Sequence, residues 1–164
     1  MTDDIVEFKG KYYNIPASKV EPKPIQKPGI PVYLGGFTSN TFPRIIRYNL
    51  NGWLSVAQFR TGSLKDFENS IKSLKEQASR VSKNQDNFRT IMLTYPKVMT
   101  DQPSNNNDKN RYPLTGTIDK IGDDIRGMKE IGVDHIIFDY MFAPIGSNVD
   151  EMIDMSKELS KFAK

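Results

Sequence analysis

The chain has 164 residues, of which 37% are hydrophobic and 26% are charged, a composition typical of one globular domain with a buried core. Its formal net charge of +3 arises from 23 basic and 20 acidic residues that alternate along the chain, so no basic stripe predicts a nucleic-acid partner. The lack of cysteine and the single histidine exclude disulfides, thiolate catalysis and a metal site of several thiolates or imidazoles, and we expect no metal.

The N-terminal sequence MTDDIVEFKGK has neither a basic start nor an apolar core of the kind found in signal peptides. No apolar run approaches the roughly 20 residues that span a bilayer. We therefore expect a cytoplasmic protein with no membrane partner.

The first 30 residues divide into two segments. In residues 1–15, the run IVEFKGKYYNI alternates apolar and polar side chains around Gly10, which predicts a β-hairpin. Residues 16–30 are rich in proline, which fixes φ and removes backbone donors, so they are predicted to form an extended connector.

Residues 31–164 alternate strand and helix patterns four times. The first unit has a short strand at 32–34, the pair Gly35-Gly36, a hydroxyl-rich turn and a helix from about 41 to 49. The second has a strand at 53–57 and a helix that opens at Ser63, where Asp66 completes a capping-box pattern. An apolar stripe along this helix predicts that one face packs against the sheet.

The third unit has a strand at 88–94, a polar loop through residues 100–116 and a helix capped by Thr117. The loop is too rich in Asn, Asp and Pro to be ordered by a core of its own. The fourth unit has a strand at 133–138 after a helix stop at Gly132, and a last helix that begins at Asn148 with Glu151 three residues on. Four consecutive units with short connections predict a parallel sheet.

Ligands of parallel α/β sheets bind at the C-terminal ends of the strands. The first such end carries Gly35, Gly36, Thr38 and Ser39, where paired glycines let the backbone turn sharply and present N–H groups to an anion. The same pattern also suits an ordinary strand-to-helix connection, so both interpretations stay open at this point.

The other strand ends offer further candidates, each with a structural alternative. Asp139 either orients a substrate or caps a turn, and Tyr95 either stacks on a planar ring or packs. Gln58, Arg60 and Lys97 are candidates for contacts to a substrate or another anion, although surface solvation is the better explanation for either cation alone. His135 lies near the start of its strand, away from these ends, which favours a structural role over a general base.

Four runs in this order resemble the C-terminal half of luciferase-like oxidoreductases, which include relatives of bacterial luciferase and deazaflavin-dependent dehydrogenases. The runs are FKGKYYNI, PKPIQKPGIPVYLGG, RIIRYNLNGW and PLTGTIDKIGDDIRGMKEIGVDHIIFD. The resemblance implies an α/β fold that is the C-terminal half of a (β/α)8 TIM-type barrel, with four parallel β/α units preceded by a β-hairpin.

The resemblance also implies a cofactor, either FMN or a deazaflavin (coenzyme F-420), whose phosphate lies at the turn of Gly35, Gly36, Thr38 and Ser39. With it come a small-molecule substrate and oxidoreductase or monooxygenase activity. The catalytic residues stay unassigned, with Asp139 and Tyr95 as the candidates.

Members of that family have eight strands, whereas this sequence supplies the last four. A half barrel exposes strand edges and an apolar inner face, so a partner is expected. The partner is either a second copy of the chain or a complementary N-terminal barrel half, unless the chain is a truncated or split product. The alternative function is a non-catalytic barrel half that acts as an assembly or flavin-binding module.

Overall fold

The computed structural model describes residues 3–36, 38–56, 64–81, 88–99 and 111–163. The chain divides into two compact units, Met1–Val32 and Tyr33–Lys164. In these described ranges, no helix combines the length and the hydropathy that a membrane span requires.

The first unit contains a β-hairpin of strands β1 (Ile5–Lys9) and β2 (Asn14–Lys19). The Gly10 N–H closes the turn by donating to the Tyr13 carbonyl at 2.8 Å. The predicted hairpin is present, but its second strand continues four residues beyond the predicted end at residue 15, to Lys19. Pro16 is tolerated there because a proline in a two-stranded hairpin can face the outer edge, where no ladder donor is required. The predicted connector is correspondingly shorter.

The second unit alternates strands and helices. In chain order its elements are β3 (Tyr33–Gly35), α1 (Thr41–Arg47), β4 (Gly52–Val56), α2 (Leu64–Val81), β5 (Arg89–Thr94), β6 (Lys97–Val98), β7 (Thr115–Gly116), α3 (Ile118–Glu130), β8 (His135–Phe138) and α4 (Val149–Ser160). The main sheet has the order β3-β4-β5-β8, and all its neighbouring strands are parallel. The prediction of a parallel α/β sheet is confirmed; the described strands form an open sheet and no closed barrel.

One face of this sheet carries the core. The register places Trp53 beside Thr90 and Met92 beside Ile136, and all four face the same side because side chains alternate along a strand. Trp53 and Met92 are fully buried and belong to a cluster with apolar residues of the helices. Its buried helical members are Ile45, Phe67, Ile71, Leu74, Ile121, Ile125, Met128 and Leu159.

The opposite face of the sheet has a different environment. Beside Arg89 and His135 at the N-terminal ends of β5 and β8, it presents six apolar or aromatic alternate residues of the same strands, namely Tyr33, Leu54, Val56, Ile91, Leu93 and Ile137. None of these six belongs to the core cluster. Ile137 leaves 45% of its surface exposed, and the others are partly exposed. We call these six residues the open sheet face.

Three of the predicted helix boundaries are confirmed. Thr117 caps α3, with its side chain accepting from the Lys120 N–H at 3.5 Å. Asn148 caps α4 by accepting from the backbone N–H groups of Asp150 and Glu151. At the end of α3, Gly132 has φ +92, a conformation that favours glycine, and the following Val133 N–H bonds back to the Met128 carbonyl at 3.0 Å.

That last bond explains why β8 begins at His135 rather than at the predicted residue 133. The N–H of Val133 completes the helix cap, and the first bond to β5, from the Asp134 N–H to the Thr90 carbonyl at 2.9 Å, comes one residue later. The predicted capping residue Ser63 lies outside the described residues.

The structure describes the last part of the predicted polar loop of residues 100–116, which contains a short strand that the sequence did not predict. Its residues 100–110 lie outside the described part of the chain. Its end forms β7, which pairs in parallel with β6. The Lys97 N–H donates to the Leu114 carbonyl at 2.9 Å and the Met99 N–H to the Gly116 carbonyl at 2.8 Å.

Candidate functional site

The predicted site residues within the described ranges fall at the C-terminal ends of three sheet strands. The turn of Gly35, Gly36, Thr38 and Ser39 follows β3, Tyr95 and Lys97 follow β5, and Asp139 follows β8. Gln58 and Arg60 lie outside the described residues. The structure therefore has two separate regions to consider, one after β3 and one after β5 and β8.

The turn after β3 needs glycine at one of its two glycine positions. Gly36 has φ +121, where a side chain is strained, and a Cβ there would lie 3.0 Å from Thr41 Oγ1. A Cβ on Gly35 would meet only the Leu54 carbonyl, at an ordinary 3.8 Å. The requirement for glycine therefore comes from the backbone turn at Gly36.

The buried hydroxyl of Thr41 organises this turn from the inside. Thr41 is 4% exposed, and its Oγ1 accepts from the Thr38 N–H at 3.2 Å and lies 3.1 Å from Thr38 Oγ1. The Thr41 N–H in turn donates to the Thr38 carbonyl at 2.9 Å. The Thr38 amide is therefore used within the turn, and an anion would be met by the Thr38 hydroxyl and by Ser39, which is exposed.

A cavity of about 320 Å³ borders the turn. It is lined by Thr38, Ser39, Phe42, Pro43, Trp53, Ser70 and Gln77. Hydroxyl and amide groups face it, and these lining residues include no cation. An anion bound in this cavity would therefore accept hydrogen bonds from neutral groups of these lining residues.

A second cavity, of about 420 Å³, lies after β5 and β8. Its lining residues are Tyr95, Pro96, Lys97, Tyr112, Thr115, Phe142 and Ala143. We call it the aromatic pocket. It brings together two of the predicted site residues, Tyr95 and Lys97, with Tyr112 and Phe142, which the sequence did not single out. The Tyr95 and Phe142 rings contact each other with centroids 5.2 Å apart.

Asp139 has a local role at the end of β8. Its backbone N–H donates to the Thr94 carbonyl at 2.7 Å, which extends the sheet by one bond. Its carboxylate Oδ1 accepts from the Met141 N–H at 2.9 Å. The second of the two sequence alternatives, a turn-capping aspartate, describes this contact.

Tyr140 follows Asp139 and is buried. Burial raises the pKa of the Tyr140 phenol above its ordinary value, and the hydrogen bond with Ser156 at 3.0 Å opposes that rise. The phenol is therefore neutral at physiological pH. Its bond to Ser156 connects the end of β8 to α4.

His135 is the first residue of β8, at the opposite end of the strand from Asp139, and its side chain is exposed. It lies away from both cavities. The position agrees with the prediction that His135 lies near the start of its strand, away from the C-terminal strand ends.

An ion pair that the sequence analysis missed supports the aromatic pocket. Arg111 donates to both carboxylate oxygens of Asp124, at 2.7 and 2.8 Å, and to the Thr115 carbonyl at 2.8 Å. The Leu114 N–H donates to the same carboxylate at 2.7 Å. The available signal was the position of Asp124 on α3, where it shares the apolar face with Ile121 and Ile125. A carboxylate on a buried face requires a partner.

Neither the family models nor the curated proteins with which the chain was compared match it. The resemblance to luciferase-like oxidoreductases therefore stays a prediction from the quoted motifs.

Proposed function

We propose that the chain is a flavin- or deazaflavin-dependent oxidoreductase of the luciferase-like group and contributes the cofactor-phosphate half of a (β/α)8 barrel. The observation that carries the proposal is the strand order. Four parallel strands lie side by side in chain order, with the core on one face. The C-terminal half of such a barrel requires this order, and its candidate site residues follow the C-terminal ends of the strands.

The turn after β3 suits a phosphate in two respects. Gly36 at φ +121 reverses the backbone without a Cβ, and the Thr38 and Ser39 hydroxyls border a cavity of about 320 Å³. In this proposal, the Thr38 hydroxyl and Ser39 hold the phosphate of FMN or of a deazaflavin such as coenzyme F-420. The bound cofactor supplies hydride or oxygen chemistry.

The remaining candidates act at the other strand ends. Tyr95 and Lys97 line the aromatic pocket and would contact a small-molecule substrate. Asp139 holds the Met141 N–H and would orient the segment that carries Phe142 into that pocket. The groups that contact the cofactor ring would come from the missing barrel half.

A spectroscopic titration tests the proposal. The purified chain is titrated with FMN and with a deazaflavin, alone and together with a complementary N-terminal half from a luciferase-like protein. Micromolar binding of either cofactor supports the proposal. Loss of binding in every combination overturns it.

The open sheet face favours a second candidate, a non-catalytic barrel half that acts as an assembly or flavin-binding module. Apolar residues such as Leu54, Ile91 and Ile137 would pack against a second copy or against an N-terminal half. Measurement of the mass in solution shows whether the chain associates with a second copy or with an N-terminal half. A stable monomer with no cofactor affinity would contradict both barrel completion and the oxidoreductase proposal.

A further inference from the structure

The aromatic pocket has the size and wall chemistry of a small-molecule site. Its volume of about 420 Å³ falls within the range of roughly 300–1,000 Å³ that is usual for such sites. Three of its lining side chains are aromatic, those of Tyr95, Tyr112 and Phe142. A pocket of this kind binds planar apolar groups.

Two of these aromatic side chains are exposed at the pocket. Tyr112 leaves 58% and Phe142 leaves 68% of their surface accessible to water. The Phe142 ring tilts by 54° against Tyr95 rather than lying in the core. Grouped exposed aromatic rings beside a cavity are typical of a surface that a ligand covers, because a planar ligand removes their apolar area from water.

The walls of the pocket are fixed by buried polar contacts. Asp124 holds Arg111 through two hydrogen bonds and the Leu114 N–H through a third. The Leu114 carbonyl accepts from the Lys97 N–H, so the segments on both sides of Tyr112 and Lys97 are anchored. A ligand would therefore meet a preformed surface, which reduces the entropy lost on binding.

The charge of the lining residues indicates which class of ligand the pocket binds. Lys97 is the charged member of the seven lining residues, and the remaining walls are aromatic, aliphatic or hydroxylated. We propose that the aromatic pocket binds a small planar aromatic carboxylate, with its ring against Tyr95, Tyr112 and Phe142 and its carboxylate at Lys97. This site is separate from the turn after β3, and β4 lies between the two at the same end of the sheet. Binding of the carboxylate does not depend on the proposed cofactor.

The test uses 2-naphthoate as the probe and the full chain without added cofactor. Isothermal titration gives the affinity, and amide chemical shifts locate the site at Tyr112, Thr115 and Phe142. We expect Tyr112→Ala and Phe142→Ala each to weaken binding by about three- to ten-fold, the usual effect of one aromatic contact. Both side chains are exposed, so neither substitution removes a core residue. Tyr48→Ala replaces a similarly exposed tyrosine, 62% accessible at the end of α1, and should leave the affinity unchanged.

A second pair of variants tests the contact between the ligand carboxylate and Lys97. Lys97→Met should weaken 2-naphthoate binding by about two- to five-fold, more at low salt, because an exposed ion pair is screened. Lys129→Met, at an exposed position of α3, should have no effect. The neutral 2-naphthamide should bind the wild type about as weakly as 2-naphthoate binds Lys97→Met. Equal affinity of acid and amide would overturn the assignment of the carboxylate.

Three results would overturn the proposal as a whole: no binding at millimolar 2-naphthoate, equal losses in Tyr48→Ala and Phe142→Ala, or displacement of 2-naphthoate by FMN. Displacement would make the pocket part of a cofactor site. A chain that binds 2-naphthoate but neither FMN nor a deazaflavin would contradict the proposed function alone. Failure of the proposed function can therefore be distinguished from failure of the proposed carboxylate site.

Discussion

The indole N–H of Trp53 donates to the backbone carbonyl of Gly36 at 2.9 Å. Trp53 is fully buried, stacks on Phe67 with ring centroids 5.2 Å apart, and contacts Phe42 edge-on at 5.0 Å. Gly36 belongs to the turn that is the proposed phosphate site. One side chain thus fixes the position of the turn relative to the packing of α1 and α2.

Trp53→Phe should destabilise the protein by about 1–3 kcal/mol, because it removes this hydrogen bond and leaves unfilled volume in the core. Urea denaturation followed by circular dichroism measures the loss. The amide signals of Thr38 and Ser39 should shift in the same variant. Unchanged stability with unchanged turn signals would contradict the role given to the Trp53–Gly36 bond.

Asp124→Asn should cost about 3 kcal/mol, the low end for a broken buried ion pair, because the Arg111 side chain keeps 23% of its surface exposed. The neighbouring Asp123 is a matched control. It pairs with Arg126, but its side chain is 70% exposed, so Asp123→Asn should change the free energy of unfolding by less than about 0.5 kcal/mol. Equal losses in the two variants would disprove the structural role of Asp124.

Ser39→Glu should weaken FMN or deazaflavin binding by about ten-fold or more, because it places a negative charge beside the proposed phosphate. Ser39→Gln has a similar size without the charge and should stay within about three-fold of the wild type. Substitution of Gly36 is a poorer test, since its φ of +121 strains any side chain and would disturb the turn itself. Equal cofactor affinities in the two Ser39 variants would remove the turn from the site.

Ile137→Lys should reduce association with a second copy or a complementary half, because it places a charge on the open sheet face. Ile153→Lys on α4 is the control, with 47% exposure against 45% for Ile137. Light scattering over a concentration series measures the association. A partner that packs on the open sheet face should tolerate the second variant and not the first.

Glu68 should make stability depend on pH in acid. A hydrogen bond from Lys65 at 2.8 Å and an ion pair with Lys72 at 2.6 Å lower the pKa of the Glu68 carboxyl from 4.5 to about 2. A lowered native pKa stabilises the fold above about pH 4.5, and this contribution is lost as the pH falls towards 2. The difference in urea midpoint between wild type and Glu68→Gln should shrink over that window and also with added salt. A difference that stays constant across that window would contradict this contribution of Glu68.

Local sequence signals predicted the elements of the sheet well. The caps at Thr117 and Asn148 and the stop at Gly132 depend on contacts within a few residues, so they can be read from adjacent side chains. The apolar stripe of α2 likewise identified the helix face that packs on the sheet. The residual errors were at ends, such as the start of β8, where Val133 serves the preceding helix cap instead.

The aromatic pocket was beyond this reasoning, because contacts distant in sequence create it. The segment from Arg111 to Gly116 has no apolar pattern of its own and is ordered by Asp124 on α3. Nothing in the sequence around Phe142 indicates that its ring contacts Tyr95, which lies more than 40 residues earlier in the chain. The sequence pattern therefore predicts where the strands end but not which side chains contact each other there.

The agreement between strand order and chain order also bears on how the sheet folds and opens. Successive strands of the main sheet are neighbours in it, so no crossover skips a strand and folding can proceed by successive addition of units. β4 and β5 are paired on both sides, whereas β3 and β8 are paired on one side in the described sheet. Amide hydrogen exchange should therefore be slowest in the two middle strands and faster at the two outer ones, which open first.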